Sequence, residues 1–478
     1  MKISSLIGIK LIFISSFLYS QVENIKNYSY QTGKPYESFS SQYNYFNSEG
    51  EDIFSLKITG KNIKIQNYDA YLLTETVHST YNDFPKEGVV IGVIKEGISY
   101  YLCYSLFQNN KTYFLTRKIS FSKGELEAPL VTIEKEGITQ FSVIESKEFK
   151  KTLVYSSSKK DTVNLYVFGP SLKFEWTKTI HGVTALSFMI NTEGEVFYLS
   201  TKFDSLVENT KRNRDELTNY MTYCHKISIE TDTKTRLEQL TGTPLSVIIK
   251  EDNKGQLICT GYNTQGIFYY LLNENTEVIH SSINDLPWSN NLYFKEVHLQ
   301  EDGSSIIIGE QYHFYKDHLI DSDGEPYINY RNQYGYLLII KISKNGALDW
   351  LKSIPKTQVS QSFNPDPLYK GSMSYKYLYL DKRHVFIYLD SRSNKDLPVQ
   401  SSVKTYDVTK PAVLTSIAID HETGLMKKSI IFDTKYVGNK QVYNFSNDKI
   451  VLVSPTSFVL EMYQKKKENI LILVTKNK

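Results

Sequence analysis

Ser304-Ser305-Ile306-Ile307-Ile308-Gly309 leads into a long polar segment, and the chain returns as Gly335-Tyr336-Leu337-Leu338-Ile339-Ile340-Lys341-Ile342. It then turns at Asn345-Gly346 and closes with Ala347-Leu348-Asp349-Trp350-Leu351-Lys352-Ser353-Ile354. These apolar runs are short, rich in β-branched residues and bounded by turn residues, so they predict strands. Outward from this stretch similar units recur, at 89–133, 153–180, 185–240, 245–280, 292–354, 375–432 and 442–474, with four such runs in each but the second, which shows three. A small antiparallel sheet repeated at this spacing predicts an all-β chain, a β-propeller of four-stranded antiparallel blades. Seven blades are expected, with eight as the alternative.

Two turns carry a family resemblance. Ile342-Ser343-Lys344-Asn345-Gly346-Ala347-Leu348-Asp349-Trp350 and Ala418-Ile419-Asp420-His421-Glu422-Thr423-Gly424-Leu425-Met426 resemble the strand, turn and strand of quinoprotein-type repeats in secreted bacterial propellers. The second is close to that family's A-x-D-x-x-T-G pattern, although Lys428 stands near where an aromatic belongs. The resemblance covers only these segments; it implies the fold and no bound quinone. Sialidase-type Asp boxes are absent.

Residues 86–478 are assigned to the propeller. Residues 21–85 hold a hairpin signal at Gly60-Lys61-Asn62 and further strands, which serve either as an extra blade or in closing the ring. Residues 1–20 have the pattern of a signal peptide: Lys2 and Lys10, then the apolar run 11–19, ending at Ser20-Gln21. Cleavage near Ser20 and export to the periplasm, cell surface or medium are expected. No later run is long and apolar enough to span a membrane.

The composition, 41% hydrophobic and 22% charged, is that of a globular chain. Its formal net charge of +3 includes Lys2 and Lys10, so the remainder lacks the broad positive field that nucleic-acid binding draws on. Lys465-Lys466-Lys467 falls where a turn is expected and reads as solvated. Cys103, Cys224 and Cys259 form no CxxC pair and sit in apolar runs, as buried free thiols do.

In an antiparallel blade with strands A to D, the A–B and C–D turns lie at one end and the B–C and D–A connections at the other. The long connections, 204–220, 312–334 and 390–411 between B and C, with 285–291 and 355–371 between D and A, all belong to the second end. Loops this long are often functional, so that end is the expected binding surface. Its expected binding residues are Trp288, Tyr312, His313, Tyr315, Tyr327, Tyr330, Arg331 and Tyr334, an aromatic and cationic set suited to sugar rings or peptide side chains.

No catalytic constellation is present: no G-x-S-x-G, P-loop or HExxH occurs. His313 and His318 lack helical metal-ligand spacing, and Asp321, Asp323 and Glu325 read as a turn, so neither metal nor cofactor is expected. The expected function is binding of a protein or glycan partner in the cell envelope, by a monomer. The alternative is a carbohydrate-active hydrolase or lyase using carboxylates such as Asp317, Asp321, Asp323, Asp366 and Asp390 on the same face.

Overall fold

The computed structural model describes residues 27–38, 42–97, 99–158, 162–182, 184–203, 219–241, 244–263, 266–285, 291–320, 322–362, 373–435, 437, 442, 447–464 and 468–477. The strands form eight sheets, each built on four antiparallel strands paired in order. Blade 1 begins at Tyr43–Glu49, blade 2 at Gly88–Glu96, blade 3 at Gln140–Glu145 and blade 4 at Thr184–Ile190. Blades 5 to 8 begin at Ser246–Glu251, Leu292–Leu299, Lys376–Leu380 and Ile450–Ser454. At six of the eight junctions the leading strands of neighbouring blades lie side by side, which makes the leading strands the innermost ones of a ring.

Ring closure is visible in both the backbone and the core. Tyr28–Thr32 pairs antiparallel with Glu468–Lys476 and supplies the outermost strand of blade 8, so one blade joins the two ends of the chain. A hydrophobic cluster fills each of the eight junctions between consecutive blades. At the closing junction Phe46, Ile53 and Tyr68 of blade 1 pack on Val451, Val459 and Leu471 of blade 8. Covering both faces of a strand explains the uninterrupted apolar runs. Leu257–Asn263 and Gly266–Leu272, the middle strands of blade 5, are buried throughout, whereas the outer strand Val278–Asn284 has no buried residue.

The blade count is therefore eight, the alternative the sequence left open. The N-terminal segment supplies both a whole blade, within residues 43–81, and the closing strand. The expected seventh unit was also out of register: Ile450–Ser454 is its first strand rather than its second, and its last comes from Tyr28–Thr32. Of the expected strand 442–445, Val442 forms an isolated bridge and the rest lies outside the described residues. The run 465–467 also lies outside them. All three cysteines are free and buried, with Cys224 and Cys259 in one cluster between blades 4 and 5.

A cavity of about 540 Å³ is lined by the inner strands of blades 3 to 6, with Ile144, Glu145, Met189, Ile249, Lys250 and His298 among its walls. At the end of the ring carrying the A–B and C–D turns, Lys147 reaches from blade 3 to Asn253 of blade 5. Burial raises the Glu145 carboxyl to about 7, although the Lys95 amide donates to it at 2.5 Å. Among the described residues no helix is long and apolar enough to cross a membrane.

Candidate functional site

The polar segment 312–334 is not a loop. It is the outer half of a hairpin formed by Ser305–Ile320 and Pro326–Ile342, paired residue by residue from Tyr312↔Tyr334 to Ile320↔Pro326. Tyr, Ile and Phe suit strands, and their alternation with polar residues is that of a ribbon with two open faces. From Tyr312 to Ile320 the ribbon extends about 27 Å at the usual rise per residue. We refer to this projection as the arm.

The arm's root is held over a buried ionic node. Glu310, fully buried, meets Lys356 at 2.7 Å and accepts from Ser374 Oγ at 2.6 Å, and Lys295 also contacts it. Burial alone raises this carboxyl, but attraction by Lys356 and Lys295 outweighs that and holds it below the usual range. The Lys295 and Lys356 ammonium groups lie 4.9 and 5.6 Å from the centre of the Tyr334 ring. Tyr312 packs on Tyr334 at 4.9 Å, and its hydroxyl donates to Asn332 at 2.6 Å. Gln358–Ser362, from the D–A connection, pairs with arm residues Tyr330 to Tyr334. Tyr406–Asp407, from the B–C connection of blade 7, pairs in turn with Gln358 and Val359. Three long connections are thus stitched together at one end of the ring.

Period-two alternation divides the expected binding residues between opposite faces of the arm. Tyr312, Tyr330 and Tyr334 share one face with Phe314, which stacks on Tyr330 at 5.7 Å. Tyr334 is buried, so it belongs to the root and not to an open surface. His313, Tyr315, Tyr327 and Arg331 share the other face: His313 stacks on Tyr315 at 5.9 Å, and the Arg331 guanidinium lies 4.5 Å from the centre of the Tyr315 ring. The structure therefore does not gather the set into one platform. Trp288 lies outside the described residues, as do Asp321 and Asp366. Asp317 pairs with Arg331 at 3.5 Å, and buried Asp390 accepts from Asn394 Nδ2 at 2.7 Å. Toward the tip Phe314, Leu319, Ile320 and Tyr327 are exposed, Ile320 most of all at 73%.

A second constellation lies at the opposite end of the ring, among the short turns. In the A–B turn of blade 6, Asp302 Oδ1 accepts from the Ser304 amide at 2.9 Å and its hydroxyl at 2.6 Å, with Gly303 at φ +83° completing the reversal. In the C–D turn of blade 7, Asp420 accepts from Thr423 N and Oγ1, and Gly424 at φ +65° returns the chain. The residues behind the family resemblance thus build the turn that presents His421 and Glu422. The His421 carbonyl is fixed by Trp350 Nε1 and Lys341 Nζ, each at 3.2 Å.

Four side chains run inward from that turn. Asp302 Oδ2 lies 3.0 Å from His421 Nε2, His421 Nδ1 lies 2.9 Å from His384 Nε2, and His384 Nδ1 lies 2.9 Å from the Tyr377 hydroxyl. His384 has no exposed surface, and Tyr377 packs against His298 at 4.1 Å. Burial, reinforced by His421, His298 and Lys341, lowers the His384 imidazole to about 3, so it is neutral at physiological pH. Composition gave no hint of this cluster, because its histidines come from separate strands and turns that only the ring brings together.

No protein-family model matches this chain, and no curated protein matches it. Solved structures do resemble it. Sqt1 of Saccharomyces cerevisiae is 9% identical, with a TM-score of 0.46 over 94% of this chain and 100% of that one. The Dos1 propeller is 8% identical, with a TM-score of 0.42 over 93% and 95% of the two chains. The polysaccharide lyase Uly1 is 8% identical, with a TM-score of 0.39 over 91% and 90%. At these identities the activity has to be argued from this chain's own residues.

Proposed function

We propose that the protein is an exported propeller scaffold that docks a partner protein on the arm of blade 6. The observation that carries this reading is the arm itself: a ribbon anchored at its root by the Glu310 node, reaching past the ring with Phe314, Leu319, Ile320 and Tyr327 exposed. Exposed aliphatic and aromatic side chains on a rigid ribbon suit the core of a protein interface. A glycan platform wants several aromatic rings on one face, and the arm divides its tyrosines between two. A protein partner fits this surface better than a sugar.

Replacing residues 316–330 by Asn-Gly shortens the arm to a two-residue hairpin, while keeping the Tyr315↔Arg331 pair and the root. Folding should be nearly unchanged, because the removed residues are mostly exposed. Capture from the envelope fraction should recover a defined protein with the intact chain, at least 10-fold less with the shortened one, and similarly less with Ile320→Asp. Equal recovery by all three chains overturns the reading.

Export is supported by Lys2, Lys10 and the apolar run 11–19, which lie outside the described residues. N-terminal sequencing of the mature protein should begin near Gln21. A chain in the source cell's cytoplasm that retains Met1 contradicts it.

A further inference from the structure

We propose that Asp302, His421 and Glu422 form a site for one divalent transition metal ion of the zinc class, at the junction of blades 6 and 7. The three donor atoms lie within 4.8 Å of one another, with His421 Nε2 3.0 Å from Asp302 Oδ2 and 4.0 Å from Glu422 Oε1. Zinc bonds of 2.0–2.2 Å in tetrahedral array set donor atoms about 3.4 Å apart, between these two separations. Glu422 is exposed, with its side chain 79% accessible, so the closing movement falls on a side chain free to make it. Two carboxylates and a neutral imidazole balance the charge of a dication. They leave a fourth position for water or a further ligand.

What distinguishes this trio from a surface hydrogen bond is the chain behind it. A metal-binding imidazole turns one nitrogen to the ion and is oriented through the other. His421 does this: its Nδ1 meets His384 Nε2 in the interior, and His384 Nδ1 meets Tyr377. The chain has two self-consistent proton orders. Without an ion, Tyr377 O–H donates to His384 Nδ1, His384 Nε2–H donates to His421 Nδ1, and His421 Nε2–H donates to Asp302. With an ion on His421 Nε2, both imidazoles change tautomer: His421 Nδ1–H donates to His384 Nε2, and His384 Nδ1–H donates to the Tyr377 oxygen. Tyr377 keeps its own proton and turns it away from His384, with the Gln300 side chain beside it. The total number of protons is the same in both orders. His384, fully enclosed between His421 and Tyr377, is thereby held in line to orient the imidazole of His421.

Zn²⁺ titrated calorimetrically into the chelator-treated full chain should bind at one equivalent. Co²⁺ in its place should give visible absorption bands. His421→Ala should weaken binding about 100-fold, and the exposed-site variants Asp302→Asn and Glu422→Gln about 10-fold or more. His384→Phe leaves all three ligands in place and should still cost about 10–100-fold, whereas His384→Gln, which keeps an acceptor for His421 Nδ1–H, should recover most of the loss. Thermal unfolding should show the ion raising the midpoint of the wild type but not of His421→Ala. No saturable Zn²⁺ uptake, or uptake unchanged in Asp302→Asn and His421→Ala, overturns the site. Equal affinity in wild type, His384→Phe and His384→Gln overturns the positioning role of His384.

Discussion

A chain that starts at residue 42 is expected to lose roughly 5 kcal/mol or more of stability and to self-associate. Five residue pairs, from Tyr28↔Lys476 to Thr32↔Ile472, disappear with the closing strand. Tyr28 is buried between blades 7 and 8, where its hydroxyl meets Ser416 Oγ at 2.9 Å, and Tyr30 packs edge-on against Phe432 at 5.4 Å. Losing one buried aromatic costs about 2–3 kcal/mol, and the ladder of backbone hydrogen bonds adds about 0.5–1.5 kcal/mol each, partly offset by freed chain entropy. The truncation also bares the edge of Glu468–Lys476, and unpaired edges recruit other chains. Urea unfolding and size-exclusion chromatography read both effects. A synthetic peptide of residues 27–37 added in trans should restore the monomer by strand addition. A truncated chain that stays monomeric with an unchanged midpoint contradicts the ring closure.

The parts of this fold legible in the sequence are those where two blades cover a strand. Ile306-Ile307-Ile308 and Leu337-Leu338-Ile339-Ile340 are apolar without alternation because both faces are buried. Strands that meet solvent on one side escape that reading. Tyr43–Glu49 is half polar, Thr74–Tyr81 is largely exposed and Tyr28–Thr32 carries three exposed positions, so the N-terminal blade and the closing strand remained undecided.

The arm was taken for a loop because Asp and Gly cluster at its tip. Its flanks, Tyr312, Phe314 and the residues opposite them, already alternated as strands do. Strand parity assigns the long connections to one end of the ring, and segments of three of them, 312–334, Gln358–Ser362 and Tyr406–Asp407, meet there. It could not say that Gln358–Ser362 and Tyr406–Asp407 bind them to one another, since such pairing between short polar segments leaves no period. The histidine chain is harder still to find. His384 begins an apolar strand and His421 sits inside a turn motif, 37 residues apart in the chain, and Asp302 lies 119 residues before His421.

Glu461→Gln is expected to cost about 3–5 kcal/mol, more than any single change on the arm. Glu461 lies in Ser457–Gln464, the second strand of blade 8, with almost no exposed surface. Lys57 of blade 1 approaches it at 2.5 Å, Lys449 binds its second oxygen, and the Tyr36 hydroxyl donates to it at 2.5 Å. Burial alone raises this carboxyl, but attraction by Lys57 and Lys449 outweighs it and holds the group well below the usual carboxylate range. Removing the charge strands two ammonium groups, one of them fully buried, which is why the loss far exceeds that of one hydrogen bond.

The sign of the pH dependence follows. The unfolded carboxyl titrates near 4.3 and the folded one lower, so below about pH 5 the unfolded chain binds the extra proton. Stability from Glu461 is full above that range and falls as pH drops toward the folded value. Urea midpoints measured across this range should fall less steeply for Glu461→Gln than for the wild type, with Glu310 accounting for part of the slope that remains. Adding Lys57→Met to Glu461→Gln should recover about 1–3 kcal/mol, because the pair costs less to replace than to break. Strict additivity of the two substitutions, or an unchanged midpoint for Glu461→Gln alone, shows that this carboxylate does not hold blades 8 and 1 together.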